Sequence, residues 1–186
     1  MTTQRWRWIP NALTLLRILL IVPFAMALLE AEYRIALAVF MVAAISDGVD
    51  GFLARQFGWH SRFGAIADPL ADKALLITAY LMLTVTGVLP DWLFMVVLGR
   101  DLVIVGGALM YHYFIGSYDM QPSLMGKFNT LVQILVVLAV VILLAGLPMV
   151  SWVMPVGIYL VAVCAIASGL HYVIVWAGRA WRLKQD

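Results

Sequence analysis

Six apolar runs, each long enough to cross a bilayer, fill most of this 186-residue chain. A helix needs about 20 mostly apolar residues to span the hydrocarbon core, and such stretches fall at roughly 13–30, 35–56, 64–87, 91–115, 124–146 and 151–176. Pro90, Pro122 and Pro148, with Gly87, Gly116 and Gly146, punctuate the turns between them. Hydrophobic residues make up 65% of the chain and charged ones 12%, whereas a soluble domain is about half apolar and a quarter charged. That excess is too large for one small core, so most of it must face lipid. The expected fold is an all-α integral membrane protein of about six transmembrane helices, a single domain over residues 1–186 with no extramembrane module. No cleavable leader is evident, because the first apolar run after Arg5 and Arg7 is long and leads straight into further spans.

The basic residues set the orientation. Arg5 and Arg7 precede the first span, Arg55 and Arg62 lie between the second and third, Lys127 lies near the turn between the fourth and fifth, and Arg179, Arg182 and Lys184 follow the sixth. The opposite turns hold Glu30, Glu32, Arg34 and Asp91. The positive-inside rule then places both termini in the cytoplasm. The seven tryptophans fall near predicted helix ends, as interface anchors should. A net charge of +2 is small, and no nucleic-acid partner is expected. The single cysteine, Cys164, lies in an apolar run and reads as a small packing residue. His60, His112 and His171 share no ligand spacing.

The informative stretch is SDGVDGFLARQFGWHSRFGAIADPLADK, from Ser46 to Lys73. Asp47 and Asp50 are three apart and share a helix face at the end of the second span; Asp68 and Asp72 are four apart and share a face at the start of the third. The short turn between makes the helices antiparallel neighbours, so the four carboxylates converge at one depth, near the cytoplasmic boundary. Nothing local neutralises four charges beyond Arg55, Arg62 and Lys73. Hard divalent cations take oxygen ligands and cancel such charge. Two of them held by shared carboxylates suit in-line displacement at phosphorus. The cluster therefore reads as a two-metal phosphoryl-transfer site. Gly48, Gly51, Ala54 and Gly64 beside it would let a diphosphate approach the backbone, and also suit close helix packing in a bilayer.

Read as Asp47-x2-Asp50-Gly51-x2-Ala54-Arg55-x8-Gly64-x3-Asp68-x3-Asp72, the segment resembles the signature of the CDP-alcohol phosphatidyltransferase family at every fixed position. The resemblance implies a phosphatidyl transfer from CDP-diacylglycerol to an alcohol with release of CMP. It implies that Asp47, Asp50, Asp68 and Asp72 ligate two Mg2+ or Mn2+ ions, and that Asp72 also takes the acceptor hydroxyl's proton. Gly51, Ala54, Arg55 and Gly64 would line the CDP site. Asn11, Thr14 and Arg17 look like the family's common opening of span one, with Thr14 near the nucleotide or else capping the helix. A homodimer and a bacterial inner (cytoplasmic) membrane location, with the active site on the cytoplasmic side, are likewise implied.

Two branches of the family differ in acceptor, glycerol 3-phosphate or phosphatidylglycerol. The glycerol-phosphate branch usually carries Arg-Glu and a second Arg eight residues after the first; here Asp101 follows Arg100 and position 108 is Ala108. Arg100-Asp101, followed by Lys127, Asn129, Thr130 and Gln133, looks more like the cardiolipin synthases that release CMP. Either acceptor brings a phosphate, for which Arg100, Lys127 and Arg62 are the cationic contacts; snorkelling at the interface is their other reading. A transporter would call for internal repeats and broken helices at mid-membrane, and a prenyltransferase for a second acidic motif. Beyond Asp72 only the isolated Asp91, Asp101, Asp119 and Asp186 remain as aspartates.

Overall fold

The structure, a computed structural model, describes residues 8–58, 62–115, 124–148 and 152–182; within these, the side chains at 10, 54–55, 62–63, 65–66, 108–109, 111–115 and 176–182 lie outside the description. The described residues form six helices: α1 (Ile9–Leu29), α2 (Tyr33–Phe57), α3 (Arg62–Val85), α4 (Asp91–Ile115), α5 (Leu124–Leu144) and α6 (Val153–Arg182). Four of them, α1, α2, α5 and α6, are long and apolar enough to cross a membrane, so this is a multi-pass membrane protein. Helix α3 carries Asp68, Asp72 and Lys73, and α4 carries Asp91, Arg100 and Asp101.

The chain divides into two compact units, residues 1–88 with 137–149 and residues 89–136 with 150–186. In the first, α1 packs on both α2 and α3. Each helix buries one stripe at three- and four-residue spacing, as a 3.6-residue period requires. Helix α1 buries Thr14, Arg17, Phe24, Ala27 and Leu28; α2 buries Ala36, Phe40, Ala43, Ser46 and Asp50; α3 buries Ala67, Ala71, Leu75, Ala79 and Leu83. Alanines recur on these stripes because, without a hydrophobic drive between helices in lipid, close backbone approach supplies the packing. Phe24 meets Phe40 with ring centroids 5.5 Å apart, and the Arg34 Nε donates to the Ala145 carbonyl at 3.4 Å, tying the end of α5 to the start of α2. The opposite faces carry Leu15, Leu19, Val22, Met26, Ile35 and Ile45 exposed, an apolar surface that suits hydrocarbon rather than water.

In the second unit α4 packs on α6, and Trp92 meets Tyr159 at 6.2 Å between centroids. A β carbon at Gly157 would stand 3.0 Å from Val136 Cγ1, so α5 and α6 approach closely there because the position lacks a side chain. The buried stripe of α5 in this unit is Asn129, Val132, Gln133 and Val136.

Helices α1, α3 and α5 close in the same way. The third residue past each end reaches back five positions, Glu32 to the Ala27 carbonyl, Val88 to Leu83 and Leu147 to Ile142. The residue before it turns left-handed, and there the chain carries Ala31, Gly87 and Gly146 at φ 58°, 74° and 73°. Glycine adopts that conformation freely, whereas an L side chain is disfavoured by about 1 kcal/mol. Ala31→Gly is therefore expected to stabilise the protein by a fraction of that amount, part being offset by glycine's greater freedom when unfolded. Thermal unfolding in detergent checks it, and a lower midpoint in the variant would refute the strain.

Candidate active site

The four aspartates of the sequence motif do converge, and they do so on a residue from a third helix. Arg17 is fully buried in α1. Its Nη2 donates to Asp50 Oδ2 at 2.7 Å and pairs with Asp47 Oδ1 at 3.0 Å, while Nη1 donates to Asp72 Oδ1 at 2.7 Å. One turn earlier on the same face of α1, the Thr14 hydroxyl donates to Asp68 Oδ1. Thr14 and Arg17 are three apart, so one helix face meets all four carboxylates. Asp47 and Asp50 hang from the last turns of α2 and Asp68 and Asp72 from the first turns of α3, as their spacing predicted.

Depth differs within the group. The side chain of Asp50 is 5% exposed, whereas Asp47 and Asp72 are 49% and 43% exposed. The cluster thus has a closed floor, made by Arg17 and Asp50, and an open side. Gly64 is buried and Gly51 half-buried beside it. A β carbon at Gly48 would meet nothing within 4 Å, so helix packing does not demand glycine there. The side chains of Ala54, Arg55 and Arg62 lie outside the described residues.

One guanidinium against four carboxylates leaves most of the negative charge uncompensated by it. Hard, anionic oxygens in surplus are the donor set that Mg2+ and Mn2+ take, so the residues fit a divalent cation by their chemistry. In their present arrangement, no three of the described acidic or imidazole groups stand together as a ready ligand set. The carboxylates are instead aimed at Arg17. Sequence reasoning sought the neutralising charge among Arg55, Arg62 and Lys73, close by in sequence, and missed Arg17. The signal was present: Arg17 is the only charged residue of α1, and a charge inside a span marks a functional position by default.

The second unit holds a separate buried polar group. Arg100 Nη1 donates to Asp101 Oδ1 at 2.7 Å and Nη2 to the Ser168 hydroxyl at 2.9 Å. Arg100 Nε and both amide atoms of Asn129 are buried without a hydrogen-bond partner among the described residues. Lys127, two residues before Asn129 and so on the other face of α5, is exposed. Of the three cations expected at an acceptor phosphate, the two whose side chains are described therefore differ in setting, Arg100 inside and Lys127 on the surface.

A family model for CDP-alcohol phosphatidyltransferases matches residues 7–177. A probable phosphatidylglycerophosphate synthase of Mycobacterium tuberculosis is 36% identical over 142 residues, covering 73% of this chain and 66% of that protein. The cardiolipin synthase (CMP-forming) of Homo sapiens is 32% identical over 147 residues, 70% of this chain and 49% of its own length. A CDP-diacylglycerol–glycerol-3-phosphate 3-phosphatidyltransferase of Aquifex aeolicus is 36% identical over 138 residues, 73% and 76% of the two chains. The matched region thus spans about half of the human protein and just under two thirds of the mycobacterial one.

An unpartnered buried amide costs about 1–3 kcal/mol. Asn129→Leu, similar in volume, is accordingly expected to raise the unfolding midpoint in detergent. A lowered midpoint would mean that the amide has a partner and stabilises the fold.

Proposed function

This chain belongs to the CDP-alcohol phosphatidyltransferase family, and from that premise we propose that it transfers the phosphatidyl group of CDP-diacylglycerol to a glycerol-type alcohol, with release of CMP, in phospholipid biosynthesis. The observation that carries the reading is the convergence of Asp47, Asp50, Asp68 and Asp72 from two helices onto Thr14 and Arg17 of a third. The chain acts as one transmembrane domain of six spans with both termini and the site on the cytoplasmic side of the inner membrane, a reading supported by its distribution of Arg and Lys.

Asp47, Asp50, Asp68 and Asp72 would hold the divalent ions. Mg2+ or Mn2+ there would supply charge neutralisation for the diphosphate and for the oxygens that enter and leave. The half-exposed Asp72 takes the proton of the acceptor hydroxyl as its oxygen forms the new bond to the phosphorus bearing the diacylglycerol. The bond from that phosphorus to the bridging oxygen breaks, and CMP departs with the oxygen and its charge. Gly51 and Gly64, with the open space at Gly48, leave room for the nucleotide beside the backbone. The acceptor phosphate is assigned to Arg100, Lys127 and Arg62.

Phosphatidylglycerol is the proposed acceptor, which makes the activity that of a cardiolipin synthase. Its support is the run Arg100-Asp101 and Lys127-x-Asn129-Thr130-x-x-Gln133, in which Arg100, Asp101, Asn129 and Gln133 are all buried. Glycerol 3-phosphate is the second reading, favoured by the names of the mycobacterial and Aquifex relatives. CMP release from CDP-diacylglycerol and Mg2+ in mixed micelles, with each acceptor in turn, decides between them. Release with phosphatidylglycerol alone is expected, and release with glycerol 3-phosphate alone overturns the acceptor assignment.

The ligand assignment makes its own prediction. Asp68→Asn and Asp72→Asn each lower the rate of CMP release by roughly a thousandfold or more, while the purified variants still unfold cooperatively. Normal turnover in either would remove that residue from the mechanism. Chelation with EDTA abolishes release and added Mg2+ or Mn2+ restores it; activity that survives chelation would exclude the metal.

A further inference from the structure

Arg17 stands where a cation for these aspartates belongs. We infer that its guanidinium is a built-in counter-cation of the cluster, competing with divalent metal for the carboxylates of Asp47, Asp50 and Asp72. The inference rests on the metal reading given above and adds the residue that sets how tightly metal is held.

The geometry supports competition over simple co-residence. Both Nη atoms of Arg17 are committed to carboxylates at 2.7–3.0 Å, and Nε has no partner among the described residues. Charge on the aspartates is thus what holds the buried side chain. A dication on the same carboxylates would lie within a few ångströms of the guanidinium, and like charges repel strongly in a low-dielectric surrounding. Arg17 also engages only one oxygen of each carboxylate, Oδ1 of Asp47, Oδ2 of Asp50 and Oδ1 of Asp72. The second oxygens remain, and Asp47 and Asp72 are half-exposed, so an ion can reach them from outside before Arg17 yields. Without metal the same contact holds three like charges together and keeps α1, α2 and α3 assembled.

A clamp that only positions the aspartates makes the opposite forecast, because removing it would splay them and weaken metal binding. The test uses the full chain in mixed micelles, unsubstituted and as Arg17→Gln and Arg17→Lys. Free Mn2+ is followed by electron paramagnetic resonance during titration, and thermal unfolding is measured in EDTA and in saturating Mn2+. Arg17→Gln is expected to unfold at lower temperature in EDTA, to recover most of the difference in Mn2+, and to bind Mn2+ about tenfold more tightly. Arg17→Lys keeps the charge but not the fork, and is expected to bind Mn2+ within about threefold of the unsubstituted protein. Weaker or unchanged Mn2+ affinity in a cooperatively folded Arg17→Gln overturns the inference while leaving the metal reading intact. Should Arg17→Gln fail to fold, marked weakening in Arg17→Lys overturns it in the same way. Absence of Mn2+ binding in the unsubstituted protein, with CMP release persisting in EDTA, removes the metal reading and this inference together.

Discussion

A guanidinium buried in an apolar helix is tolerable only when other groups meet its charge, and in α1 those groups are Asp47, Asp50 and Asp72. The dependence runs both ways. Desolvating a carboxylate as deep as Asp50 is costly unless a cation accompanies it, and Arg17 is that cation at 2.7 Å. The packing of the first unit follows from this meeting. For Nη1 and Nη2 to reach two different helices at once, α2 and α3 must both lie close against α1, and the alanines at 27, 36, 43, 67, 71 and 79 allow it. Further along α1, Phe24 and Leu28 complete the same stripe, so the apolar packing and the ionic contact fix one rotation of the helix between them.

Much of this was legible in the sequence, and the rest was not for a physical reason. The apolar runs located all six helices to within a few residues, except where a helix outlasts its apolar part. Helix α1 starts at Ile9, because Pro10 suits a first turn, and α6 runs on to Arg182 through a polar end that lipid counting leaves out. The spacings 47–50 and 68–72 fixed which aspartates share a face. Helical periodicity, however, reports only neighbours on one helix. That Asp68 accepts from Thr14, 54 residues away, and that Asp50 pairs with Arg17, 33 residues away, depends on how three helices rotate against one another. The lone charge in α1 was the available clue. It identified a residue needing partners without saying which.

Lys127 and Asn129 illustrate the same limit within one short motif. Both fall in the run that hinted at the acceptor, yet they sit on opposite faces of α5, one exposed and one buried. A linear pattern grouped residues that a helix separates by about 200°, since each position advances by about 100°. The buried member is the more informative, because an amide at 1% exposure with neither atom partnered among the described residues is disfavoured by stability alone.

Charge balance separates the two buried ionic groups. In one, Arg100 donates to Asp101 and to Ser168, so an opposite charge accompanies it in a low-dielectric interior. What it has left is donor capacity, at Arg100 Nε and the Asn129 amide, which suits a ligand that brings its own acceptors, such as a phosphate or a hydroxyl. The Arg17 group sets three carboxylates against one guanidinium, and its open oxygens suit a cation. Phosphatidyl transfer needs both capacities, anionic oxygens for the ion that steadies a diphosphate and donors for the alcohol that attacks it. On the reading proposed above, the carboxylates of α1–α3 would serve the first and the donors of α4–α6 the second.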